Sequence, residues 1–87
     1  MALFSYVATF GDKHVPGQIT ATSIEEAIRA YFDHYYPRQR QLLGDAPEID
    51  SKHIVLTDQM EGLRNMWLCQ AGRDGRWITA FFAETVA

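Results

Sequence analysis

The chain has 87 residues, 47% of them hydrophobic and 13% aromatic, with a formal net charge of −3. That length holds one domain, residues 1–87, and a chain this short buries only roughly 60–65% of the surface its unfolded form exposes. The composition excludes a disordered chain, and the negative balance argues against a dedicated nucleic-acid binder, whose phosphate contacts demand a basic surface.

Leu3 to Phe10 alternates Phe4, Tyr6, Ala8 and Phe10 against Leu3, Ser5, Val7 and Thr9, the period of a strand. Gly11-Asp12-Lys13 breaks it, and His14 to Ala21 returns as a second strand. Pro16 cannot donate to a ladder and Gly17 weakens one, so the start of this strand belongs at an edge or a bulge. Ser23 followed by Glu26 fits a capping box, with Thr22 and Glu25 one register earlier as the alternative. Ile24, Ala27, Ile28, Tyr31, Phe32 and Tyr35 then recur at helical spacing and predict a helix to about Tyr35, with Tyr36 near its end and partly exposed. Pro37 stops or kinks that helix. Arg38 to Leu43 has the makings of a short second helix, with Pro37 at its first position and Gly44 as its cap.

Gly44 to Ser51 is a loop by composition, and Lys52 to Thr57 is a short third strand centred on Ile54-Val55-Leu56. Met66 to Phe82 reads as a β-hairpin turning at Asp74-Gly75, a pair that accepts the positive φ angles of a type I′ turn. A two-residue turn pairs Trp67 with Phe82, Cys69 with Ala80 and Ala71 with Ile78 on one face. Leu68 with Phe81, Gln70 with Thr79 and Gly72 with Trp77 share the other. Both faces are therefore apolar. The order ββαβββ predicts an α+β domain: a five-stranded, mainly antiparallel sheet with one principal helix on one face. The second face, carrying Trp77 and Phe81, then needs a partner of its own.

Chemistry-bearing motifs are sparse. His14, His34 and His53 fall in three different elements, none with a second ligand at zinc spacing, so no metal or cofactor is expected. Neither a phosphate-binding glycine loop nor a Gly-x-Ser-x-Gly elbow occurs, and no catalytic residue is assigned. Cys69, the single cysteine, sits within a strand among apolar neighbours and reads as an inert core thiol in a reducing compartment. The start lacks a basic, then apolar, signal sequence and no run is long enough to span a bilayer, so a cytoplasmic location without membrane contact is expected.

Charge is segregated. Asp45, Glu48, Asp50, Asp58 and Glu61 stand against Lys52 alone between residues 44 and 61, a net of −4, which leaves the rest of the chain at about +1. This stretch is either an acidic face for a basic groove or a solvated loop. Arg73 and Arg76 flank the Asp74-Gly75 turn and Trp77 follows, so the hairpin tip either carries two guanidinium groups beside an exposed aromatic, the usual anchors of an interface, or is an ordinary turn with Trp77 tucked under the helix. Arg38 and Arg40 form a second candidate basic patch, and Tyr36 and Phe81 complete the candidate partner-binding residues.

Taken together, the short N-terminal strand, the run Gly17-Gln18-Ile19-Thr20-Ala21-Thr22-Ser23 entering a helix with Ala27, the strand Ile54-Val55-Leu56, and Asp74-Gly75 followed by Arg76-Trp77 resemble small anti-CRISPR proteins of phages and other mobile elements, in particular an inhibitor of type I-F surveillance complexes. The resemblance implies a non-enzymatic inhibitor that docks on a CRISPR effector subunit in the host bacterial cytoplasm and obstructs access to target DNA. The chain departs from that pattern in a longer, more aromatic helix, an added acidic loop and a less basic surface. From the residues alone, a homodimeric bacterial domain, a weak nucleic-acid-binding module using the four arginines, and a small enzyme are the alternatives.

Overall fold

Two hairpins closed by two-residue turns bracket the chain in the computed structural model, which describes residues 1–85; positions 86 and 87 of the expected domain lie outside the described residues. Strands β1 (Ala2–Phe10) and β2 (Lys13–Ala21) pair from Ala2↔Ala21 to Phe10↔Lys13, and Gly11 takes the positive φ of +60° that this turn needs at its first position. Strands β4 (Met66–Arg73) and β5 (Arg76–Glu84) meet at Asp74 (φ 56°) and Gly75 (φ 77°), both left-handed as a type I′ turn requires. The six cross-strand pairs expected from the Asp-Gly turn are all present.

Strand β3 (Ile54–Gln59) pairs with β4 across a register shift between Ile54 and Leu56. It starts two residues later than expected because Ser51–His53 form a 3₁₀ turn, in which Asp50 Oδ1 accepts from the Lys52 N–H (2.8 Å) and His53 Nδ1 from the Asp50 N–H (3.1 Å). The five strands are antiparallel in the order β2-β1-β5-β4-β3. Pro16, which has no N–H to donate, thus lies on an edge strand, and β5 lies in the middle.

Ser23 caps helix α1 (Ile24–Ala30), its Oγ accepting from the Glu26 N–H at 3.2 Å. The helix neither stops nor breaks at Pro37. A π-helical turn, Tyr31–Tyr35, carries it into α2 (Tyr36–Gln39) and a 3₁₀ turn, Arg40–Leu43, before Gly44 ends it. Pro37 has no N–H to give the Asp33 carbonyl, and its ring would crowd that carbonyl in a regular α-helix; the widened turn, in which the Tyr36 N–H reaches Tyr31, relieves both. The extra residue also rotates the helix. Tyr35, expected in the core, is 37% exposed, whereas Tyr36, expected to be partly exposed, is 1% exposed with its hydroxyl donating to the Pro47 carbonyl at 2.5 Å.

One face of the sheet and the helix enclose the core. Tyr31 is its centre, with ring centroids 4.7 Å from Tyr6, 5.0 Å from Phe32 and 6.0 Å from Phe82. Burying each such ring contributes about 1.5–3 kcal/mol. Gly17 stands directly opposite Tyr6, and a Cβ there would lie 2.3 Å from the Tyr6 hydroxyl, so the glycine is the seat of the phenol. Asp33 fastens the following loop to the helix by accepting from the Ser51 N–H and hydroxyl, each at 2.9 Å.

Candidate functional site: the open face of the sheet

Strand alternation sends every second side chain to the face opposite the helix, and among the described residues no element covers that face. Along β5, Ile78, Ala80 and Phe82 are fully buried while Trp77 is 48% and Phe81 37% exposed. Phe81 stands between Val7 on β1 and Leu68 on β4, and Pro16 on β2 lies beyond Val7, so an apolar row crosses four strands. Trp77 lies over Gly72: a Cβ on that glycine would come within 2.3 Å of the indole. Between these aromatics runs a neutral polar row, in which Gln70 Nε2 donates to Thr79 Oγ1 (3.3 Å) and Thr9 Oγ1 to the Thr79 carbonyl (3.1 Å). Among the described residues, the ionisable side chains on this face of the strands are His14 on β2 and Asp58 on β3, at opposite edges.

The arginines and acids of the hairpin tip meet each other. Arg76 Nη2 lies 3.0 Å from Asp45 Oδ2 and also donates to the Asp45 carbonyl, with its guanidinium 5.6 Å above the Phe10 ring. Arg73 donates to the Glu48 carbonyl at 3.3 Å and pairs with Asp74 at 3.6 Å; Arg40 donates to the Ala46 carbonyl at 2.8 Å and pairs with Glu48 at 3.6 Å. Three cations thus face three carboxylates on one exposed surface, where each pair contributes little to stability but the patch carries no net charge. Arg38 lies exposed on α2. The acidic stretch is dispersed: Asp45 and Glu48 sit with the arginines, Asp50 caps the 3₁₀ turn, Asp58 is on the open face and Glu61 is exposed between β3 and β4.

Among the residues put forward for partner binding, the fold places Trp77 and Phe81 together on the open face, groups Arg40, Arg73 and Arg76 with the acidic loop, and buries Tyr36. Val7 belongs to the site, although nothing in the local sequence marks it. Alternation within β1 puts it opposite Phe4 and Tyr6, yet only the pairing of β1 with β5, more than seventy residues apart, sets it beside Phe81.

Titratable groups with displaced pKa values lie on the covered side, and burial moves each toward its neutral form. The Cys69 thiol is pushed up to about 11 by burial, against a hydrogen bond from Thr57, which leaves it a poor nucleophile. Burial pushes the Tyr36 phenol up to about 12, and raises those of Tyr31 and Tyr6 as well. Among the described residues, no three His, Cys, Asp or Glu side chains are grouped to hold a metal ion, and no helix is long and apolar enough to cross a membrane. What the open face offers chemically is shape and apolar area. Comparison of the chain with protein-family models, curated proteins and solved structures finds no match.

Proposed function

We propose that this chain is a non-enzymatic, cytoplasmic protein-binding domain that docks through the open face of its sheet and acts as an inhibitor. The observation that carries the reading is the pair Trp77 and Phe81, exposed on the central strand and bordered by Val7 and Leu68. Large aromatics near the middle of a weakly charged surface are the residues that dominate protein interfaces. The neutral patch formed by Arg40, Arg73 and Arg76 with their carboxylates supports a nucleic-acid role much less, since it attracts no phosphate backbone.

The resemblance carried by Gly17–Ser23, Ile54–Leu56 and Asp74–Trp77 makes a CRISPR effector the first partner to test. Incubating a type I-F surveillance complex with the protein before adding target duplex is expected to abolish the DNA-bound band in a gel shift. Phe81→Lys, at an exposed position, is expected to weaken that inhibition at least about tenfold while keeping the native circular dichroism. Undiminished DNA binding at saturating protein overturns the assignment of this target, and full inhibition by Phe81→Lys moves the contact away from the open face.

A further inference from the structure

We infer that in the free protein the open face is occupied by a second copy of this chain, in a face-to-face dimer whose two-fold axis runs along β5, and that an effector displaces this copy when it docks there; the inference rests on the reading of that face as a docking surface. Its size fits. Five strands about 4.8 Å apart and up to nine residues long offer a footprint of roughly 700 Å², close to the roughly 800 Å² per partner of a standard stable interface. Two such sheets stack about 10 Å apart with their strands within about 30° of each other.

Charge favours a copy over a strongly charged partner. Between its edges the face has no ionised side chain, so stacking it on itself buries no unpaired ion and sets no like charges together, whereas an acidic or a basic partner finds nothing there to pair with. At the edges, His14 and Asp58 point to one orientation. A two-fold along the central strand lays the β2 edge of each copy over the β3 edge of the other and brings each His14 toward the partner's Asp58, one cross-strand row away along the strands. A two-fold across the strands stacks β3 on β3 and Asp58 near its own copy. The first arrangement also places β5 on β5, with Trp77, Thr79 and Phe81 at the centre of the contact, where binding energy concentrates.

Sedimentation equilibrium of the full chain, up to several hundred micromolar, is expected to give twice the 9.9 kDa chain mass. Thr79→Lys sets two ammonium groups against each other at the axis and is expected to yield a monomer with unchanged circular dichroism, its thermal midpoint matching that of the wild type at concentrations where the wild type has dissociated; Phe81→Lys serves the same purpose should the first variant lose its fold. His14→Asp is expected to raise the dimer dissociation constant several-fold, and His14→Asp combined with Asp58→Lys to restore it. A monomeric wild type, or a dimer untouched by both lysine variants, overturns the inference, and a dimer without charge-swap rescue overturns the two-fold along β5. A monomer whose inhibition of the surveillance complex still depends on Phe81 leaves the docking reading standing without the dimer. A monomer lacking that dependence removes both.

Discussion

A single strand, β5, has one side sealed and the other wet: Phe82 is fully buried beneath the helix and Phe81, its neighbour, is 37% exposed to solvent. Both sides are apolar, so hydrophobicity alone does not distinguish them. The difference lies in what stands opposite. The covered side meets Tyr31, Phe32 and Tyr36 from the helix at ring-packing distances from one another or from the sheet, and the open side meets nothing. An antiparallel sheet with a purely solvated face is usually polar throughout on that side; between its edges this one carries threonine, glutamine, aliphatic and aromatic side chains, the composition of a surface kept for contact.

The sharpest way to break that comparison is to truncate both phenylalanines. Phe82→Ala is expected to cost about 3–5 kcal/mol, a large part of the stability of a small domain, and Phe81→Ala below about 1 kcal/mol under conditions where the chain is monomeric. Chemical denaturation midpoints check this, and equal losses mean that the two faces are not energetically distinct.

The glycines under the two cross-strand aromatics sharpen the comparison at intermediate scale. Gly17→Ala displaces the Tyr6 phenol, which Gln39 Oε1 and Nε2 hold at 3.1 and 2.9 Å from its hydroxyl, and is expected to cost about 1–3 kcal/mol because the phenol is buried at 3% exposure. Gly72→Ala displaces the indole of Trp77, which has solvent to move into, and also sets a Cβ 2.7 Å from the Arg76 carbonyl oxygen, which as backbone does not swing aside. A stability loss of the same order is expected, with a red shift of indole emission in a Trp67→Phe background. An unshifted spectrum shows the ring is not seated on Gly72.

The last expected effect is alkaline and grows with pH. On folding, burial raises the pKa of Cys69 from 9.0 to about 11 and of Tyr36 from 10.0 to about 12. Folding therefore favours their neutral forms: the contribution is whole below the unfolded values of 9 and 10 and is lost as pH climbs through 11 and 12. Thermal midpoints are expected to hold steady below pH 9 and fall above it, and Cys69→Ala to remove the earliest part of the fall. An identical pH profile in that variant shows that the thiol does not ionise on unfolding.

The C-terminal hairpin was legible because one dipeptide set its turn and strand parity set everything else, so Trp77 and Phe81 could be assigned to one face before any tertiary contact was known. Tyr35 and Tyr36 were not. Counting at 3.6 residues per turn carries the apolar stripe to Tyr35, but the π turn ahead of Pro37 adds a residue and brings Tyr36 inward instead. The pairing of Arg76 with Asp45 and of Arg73 with Glu48 spans 31 and 25 residues and depends on the Gly44–Ser51 loop folding back over the hairpin tip, for which local pattern holds no signal. Two surfaces that read as opposite charges were in fact one neutral surface.

The position of β5 also bears on synthesis. The strand that occupies the middle of the sheet is the last of the five to leave the ribosome, and until it does, the β1–β2 hairpin has no neighbour on its inner edge. The contacts that finish the sheet join residues seventy or more positions apart, a topology that folds slowly for its size. Through most of translation the nascent chain therefore carries its helix aromatics without the strand that packs Phe82 against Tyr31, and a stall before β5 emerges leaves an open-edged, aggregation-prone intermediate.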